Sequence, residues 1–285
     1  MKFFSLKYLS LLLLASAFTG TIQASYDNDA SDECRSSCYE CRCEPLYECS
    51  WGVQLQGGVR PIIWHQRDHF FTVNCLSTTV FNDIGELPKF SRLYHLPWQI
   101  GGQVSYATSC NTNLFVEFNY ASARAKNNNV ALGTSGLSLN VSKYKLYDAY
   151  FGARYYFDRW FCNRVSFFLG GKIGLVHHKS VRASSAFGTN GVLCYPDFVA
   201  SDYEFFRKNT VFAGGGHLGF DICINGNWVF VITGEVVACC GPKSAGALGL
   251  CSTDAAILND ANSLLVPGIG TELAFPVTFG IKYNY

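Results

Sequence analysis

Apolar and polar residues alternate with a period of two along most of the chain from residue 51 onward. The C-terminus shows it best. Leu273, Phe275, Val277, Phe279, Ile281, Tyr283 and Tyr285 fall on one face, and Glu272, Ala274, Pro276, Thr278, Gly280, Lys282 and Asn284 on the other. Successive side chains of a strand point to opposite faces, so the pattern predicts a strand with one apolar side. Seven earlier segments behave in the same way. Gly52 to Trp64 sets Val53, Leu55, Val59 and Ile63 against Gln54, Gln56 and Arg60. The others centre on 98–106, 114–120, 147–157, 165–175, 212–222 and 228–236. Tyr150, Tyr156, Val229, Val231 and Val237 make the second face of their strands less polar than the rest.

The connections between these eight strands cover residues 66–95, 107–113, 123–143, 158–163, 179–208, 224–227 and 239–268, so long and short alternate. The short ones carry turn residues, such as Asn111-Thr112-Asn113 and Asn225-Gly226-Asn227. Strands of ten or more residues, with short turns at one end and long loops at the other, predict an all-β fold. The expected architecture is a transmembrane antiparallel up-and-down β-barrel of eight strands. A secreted sandwich would alternate too, but its strands run to about 5–6 residues. Aromatics near the strand ends (Trp64, Trp98, Tyr106, Tyr120, Tyr155, Trp160, Trp228, Tyr283 and Tyr285) fit the girdles where a barrel meets the membrane surfaces. Phe70 to Phe81 and Val130 to Val141 alternate weakly, which leaves 10 or 12 strands open.

Composition agrees with this solvent. Of 285 residues only 15% are charged, against about 25% in an ordinary soluble domain. Aromatics also reach 15%, and there are 27 glycines. A disordered chain would be poor in aromatics and rich in charge. A formal charge of +1 offers no basic excess, so nucleic acid is not an expected partner. The first 24 residues read as a secretory signal peptide: Lys2 and Lys7, an apolar run centred on Leu11-Leu12-Leu13-Leu14, and small residues up to Ala24. Its removal would take the formal charge from +1 to −1. Residues 25–50 then form a cysteine-rich N-terminal tail on the periplasmic side, and 51–285 the barrel.

The signal peptide, the alternating strands and the ending Phe279-x-Ile281-x-Tyr283-x-Tyr285 resemble Gram-negative outer-membrane β-barrel proteins. The resemblance implies location in the bacterial outer membrane, with membrane lipid and the barrel-assembly machinery as partners. It also implies that Phe279, Ile281, Tyr283 and Tyr285 serve as the assembly signal. With its cysteine richness, the chain resembles the porins and major outer-membrane proteins of chlamydia-type envelopes.

Thirteen cysteines all lie beyond the expected cleavage point. Cys34, Cys38, Cys41, Cys43 and Cys49 cluster in the tail; Cys110, Cys162 and Cys223 sit in or beside short turns; the other five fall in or near long loops. Export allows disulfides, and an odd count invites one to a neighbour. The tail cluster is therefore a candidate for cross-linking to other envelope proteins, beside the alternative of internal disulfides with one spare thiol. Cys38-x2-Cys41 has zinc-ligand spacing, but no second CxxC or His pair completes a site.

Nine charged residues are expected to face the lumen: Arg60, Glu117, Asp148, Arg154, Lys172, Asp221, Glu235, Glu272 and Lys282. Such a mixed set suits a water-filled pore, and equally a small barrel filled by its own ion pairs. The leading expectation is a porin-like channel for passive diffusion of small polar solutes, with a homo-oligomer possible. The alternative is a non-conducting structural or adhesive barrel, disulfide-linked into the envelope. No enzyme and no cofactor are expected. Gly214-x-Gly216-x-x-Gly219 matches a dinucleotide fingerprint, but no helix pattern follows it. His177-His178, at an expected outer rim with Ser184 and Asp197, is the only hint of catalysis. Asn140-x-Ser142 is a formal sequon without weight in a bacterial setting.

Overall fold

The period-two alternation closes on itself. The computed structural model describes residues 50–65, 69–74, 80–86, 88–126, 130–132, 137–160, 164–187, 199–225, 227–244, 247–249, 263–265 and 269–285. The expected signal peptide and the tail cysteines Cys34, Cys38, Cys41, Cys43 and Cys49 lie outside these residues. The first strands are β1 (Trp51–Val59), β2 (Ile62–His65), β3 (His69–Asn74), β4 (Val80–Glu86), β5 (Trp98–Ala107) and β6 (Thr112–Ala123). Next come β7 (Val130–Leu132), β8 (Leu137–Val141), β9 (Tyr144–Trp160), β10 (Val165–His178), β11 (Val181–Phe187) and β12 (Val199–Arg207). The chain finishes with β13 (Asn209–Asn225), β14 (Trp228–Cys240), β15 (Lys243–Ser244), β16 (Ala247–Gly249), β17 (Ser263–Leu265), β18 (Thr271–Ala274) and β19 (Val277–Asn284). One helical turn, α1 (Phe90–Leu93), precedes β5.

Antiparallel pairing runs β1–β5–β6–β9–β10–β13–β14–β19 and returns to β1. β2 continues β1 and β18 leads into β19; these two extensions pair with each other, and β18 pairs with β14. The wall is therefore a closed ring of eight strands. Both first and last strands break at a proline, which has no N–H to give to a ladder. At the breaks the chain recovers its bonds through carbonyls: Phe275 N–H donates to Pro61 O and Glu235 N–H to Pro276 O, each at 2.9 Å.

The ten- and twelve-strand alternatives are ruled out by where the extra strands go. β3 and β4 pair with β17 and β16 in a separate four-stranded sheet, and β7 and β8 join β11, β12 and β15 in a five-stranded one. These strands belong to the long loops and form no part of the wall.

Burial follows parity. Leu55, Ile173 and Phe212 are 73%, 63% and 83% exposed on the outside of the wall. Gln54, Gln103 and Lys172, in the opposite phase, are buried inside it. A wall whose exposed side chains are mainly aliphatic and aromatic is unstable in water and stable in hydrocarbon. Ring pairs band it near both ends. Trp51–Tyr106, Trp228–Tyr283 and Tyr283–Tyr285 have centroids 4.9, 4.9 and 4.8 Å apart near the short turns. Trp98–Tyr120 and Tyr120–Tyr147 lie at 5.4 and 5.1 Å near the long loops. Trp64 does not belong to this girdle. It is in the inward phase and buried, because the even positions of β2 face the interior.

Candidate functional site

All nine expected lumen charges lie inside the ring, none more than 7% exposed. Each neutralises or is held by a neighbour across the bore. Arg60 forms an ion pair with Asp148 and also donates to Gln99 Oε1 at 3.3 Å. Lys172 Nζ reaches Glu117 at 3.0 Å and Glu235 at 2.6 Å, and lies 4.4 Å from the Tyr150 ring centroid. Lys282 Nζ meets Asp221 at 2.7 Å, where Tyr156 also donates. Arg154 is held without a carboxylate partner among the described residues. Its guanidinium lies over Phe115 and Phe168, and it donates to Gln103 and to His217. Amides link the pairs: Asn119 donates to Glu117 and Asp148, and accepts from Gln56, which accepts from Gln54.

The inward glycines make this filling possible. A Cβ on Gly152 would meet Phe115 Cζ at 2.4 Å, and one on Gly170 would meet His217 Nε2 at 2.5 Å. The glycine fingerprint on β13 has the same origin. A Cβ on Gly219 would stand 2.1 Å from Ile232 O, so close strand packing accounts for it and no phosphate loop is formed.

At the long-loop end an apolar cap closes the bore. Trp64 stands edge-on to Phe90, Tyr94, Tyr144 and Phe206, with centroids 4.8, 6.1, 5.9 and 5.7 Å away. Leu93, Phe205 and Ile269 belong to the same buried cluster. The Tyr94 hydroxyl has no partner among the described residues, and burial pushes its pKa above the usual phenol range, so it stays neutral. Beneath the cap, Glu272 accepts from Trp64 Nε1 at 3.0 Å and from the Tyr144 hydroxyl at 2.7 Å.

His177 and His178 sit on opposite faces of β10. His178 is buried inside and contacts the Tyr144 hydroxyl through Nδ1 at 2.8 Å; His177 lies outside, with Nδ1 2.8 Å from Thr210 Oγ1. They therefore cannot act together on one substrate. Ser184 is half-buried on β11, and Asp197 lies outside the described residues. His177 instead borders a cleft of about 450 Å³ on the outer rim, with Lys143, Lys145, Lys179, Arg182 and Lys208. Among the described residues no carboxylate lines it. Periodicity gave no warning of this cleft. Its cations come from three separate segments that only the fold brings together.

Of the remaining predicted positions, Phe279 and Ile281 face outward on β19, Tyr283 is half-buried beside Trp228, and Tyr285 closes the chain with its N–H on Trp51 O at 2.8 Å. Cys110 and Cys223, at the short turns, are disulfide-bonded. Cys239 carries a free, buried thiol.

No family model and no curated relative matches the sequence. Solved structures with some likeness include the Neisserial surface protein A, at 13% identity and TM-score 0.36, covering 83% of this chain and 99% of that one. Ail of Yersinia pestis, in complex with the heparin analogue sucrose octasulfate, is 10% identical with TM-score 0.38, covering 84% and 100%. The outer membrane protein OprG from Pseudomonas aeruginosa is 12% identical with TM-score 0.37, covering 85% and 99%. Likeness at this level carries no ligand or activity across to this chain.

Proposed function

We propose that the protein is a non-conducting barrel of the bacterial outer membrane, with a structural and adhesive role at the cell surface. The observation that carries this reading is the filled bore. Four cations, five carboxylates, their amide bridges and four inward aromatic rings occupy the interior of an eight-stranded ring, which is just wide enough to be filled. A diffusion channel for small polar solutes, the leading expectation from the pattern alone, needs a continuous wet path, and the interlocked pairs stand across it. Planar-bilayer recording on folded protein tests this. Membranes that stay silent support the reading, whereas stepwise conductance at a few picomoles of protein would restore the channel.

The adhesive part rests on the basic cleft. Lys143, Lys145, Lys179 and Lys208, with Arg182 beside them, suit a polyanion, here an acidic glycan bearing sulfate or phosphate. Retention on a sulfated-polysaccharide column should fall steeply as salt rises, and should be lost in a Lys143→Ala, Lys179→Ala, Lys208→Ala variant. Membrane lipid, the assembly machinery acting on the Phe279–Tyr285 ending, and envelope partners joined through the tail cysteines complete the reading. Cross-linking of the tail is the point at which the chain would behave like chlamydia-type envelope proteins. The reading includes no catalytic activity.

A further inference from the structure

We propose that His178, Cys239 and Glu272 form a zinc site that ties three wall strands together beneath the apolar cap. All three are buried, and a ring nitrogen, the thiol sulfur and a carboxylate oxygen lie within 4.8 Å of one another. Register brings them together. Cys239 and Glu272 are direct cross-strand partners on β14 and β18, and His178 is the last residue of β10.

The hydrogen bonds around the cluster leave its lone pairs unused. The Tyr144 hydroxyl has one proton, and Glu272 Oε2 takes it. In that arrangement the hydroxyl accepts from His178, the tautomer with its proton on Nδ1 and a lone pair on Nε2. Nε2 has no partner among the described residues, and neither has Glu272 Oε1. Leaving such groups buried and unpaired is costly, and a cation satisfies both. A histidine that donates its other N–H to a fixed acceptor is the usual outer support of a metal ligand. The Cys240 carbonyl also faces the ring. In a metal-free network it would take an Nε2 proton, and Glu272 would then lose the Tyr144 donor.

Charge points the same way. Among the described residues Glu272 is the only one of the five bore carboxylates without a cation within 4 Å. Zinc binding displaces the thiol proton: Cys239–SH and Zn²⁺ give Cys239–S–Zn and H⁺. The dication, the thiolate and the Glu272 carboxylate then sum to zero in a dry setting. Thiolate with imidazole selects zinc over calcium or magnesium, which take oxygen ligands. Tetrahedral zinc holds its ligand atoms roughly 3.5 Å apart, so side-chain rotations of about 1 Å bring the three into range, and a water takes the fourth position.

The test uses the full-length chain, folded in detergent under reductant, stripped with chelator and loaded with Zn²⁺ or Co²⁺. Metal content is compared between the wild type and Cys239→Ser, with Cys240→Ser as control. The expected result is one ion fewer per chain in Cys239→Ser and no loss in Cys240→Ser. With Co²⁺, the near-ultraviolet thiolate band should weaken only in Cys239→Ser. Tyr144→Phe, which keeps all three ligands, should lose roughly 10–100-fold in affinity. Ions held by tail cysteines appear equally in every variant and cancel. Equal metal content in folded wild type and Cys239→Ser overturns the site. If Cys239→Ser does not fold, Glu272→Gln and His178→Gln serve in its place.

Discussion

Removing Lys172 would leave Glu117 and Glu235 facing each other in the bore with no cation between them. Breaking a buried pair by deleting one partner typically costs about 3–5 kcal/mol. Lys172→Met should therefore lower the unfolding free energy of the detergent-folded protein by about 3–5 kcal/mol, read as a lower urea midpoint. Adding Glu117→Gln and Glu235→Gln should return most of that loss, since neutral amides need no counter-ion. If the single variant is as stable as the wild type, the pairing does not hold the bore together. Gly152 makes a second test. Gly152→Val puts a Cβ against the Phe115 ring and should cut refolding yield severely, with partial recovery on adding Phe115→Ala. At this scale the sequence told which residues face inward, because parity alone decides it. It could not tell who meets whom: Lys172 and Glu117 lie 55 positions apart and touch only because the strands are staggered around the ring. The His178, Cys239 and Glu272 cluster was hidden for the same reason. Each residue was visible, and its neighbours were not.

The strands themselves were the most legible part. Their outer face has one requirement, lipid, and one signature, alternation. β19 shows how strictly it applies: Phe279 lies outside, stacked at 6.4 Å on Phe230 of β14. Phe279→Arg should destabilise the barrel by about 2–4 kcal/mol if it lies near the bilayer midplane, as read by denaturant titration in lipid vesicles. Phe279→Leu should be nearly neutral. If the two behave alike, the face is not in lipid. What alternation does not show is where a strand pauses. Leu273 to Tyr285 reads as one uninterrupted strand, yet β18 and β19 are separated at Phe275 and Pro276, opposite the break at Pro61. Trp64 misleads for a related reason. Its position near a strand end suggests a girdle, while its phase places it in the cap.

Across the whole molecule, wall and loops are separate constructions. The strand count of eight followed from segment lengths, but the weak alternation at Phe70 to Phe81 and Val130 to Val141 had two readings. More wall and a second sheet look the same in one dimension, because both need strands with one covered face. The separate sheets predict that deleting the β3–β4 hairpin leaves the ring intact. The shortened protein should still show the heat-dependent shift in gel mobility of a folded barrel, and loss of that shift would mean that the hairpin is needed for closure. The basic cleft and the apolar cap were beyond sequence reading, since both assemble from loops far apart in the chain.

The seam between β1 and β19 sets the timing of assembly. Its register runs from Gly52 against Asn284 to Val59 against Val277, joining the two ends of nearly the whole described chain. Every other wall contact between consecutive strands can form as the chain emerges. This one waits for the last residues, and the final N–H, on Tyr285, is itself bonded to Trp51. Contacts of such long range form slowly. Until they form, two strand edges stay open, each able to pair with another chain. A protein built in this way is at greatest risk just before completion. Losing a few residues from its end would leave an unsealed ribbon in place of a slightly shorter barrel.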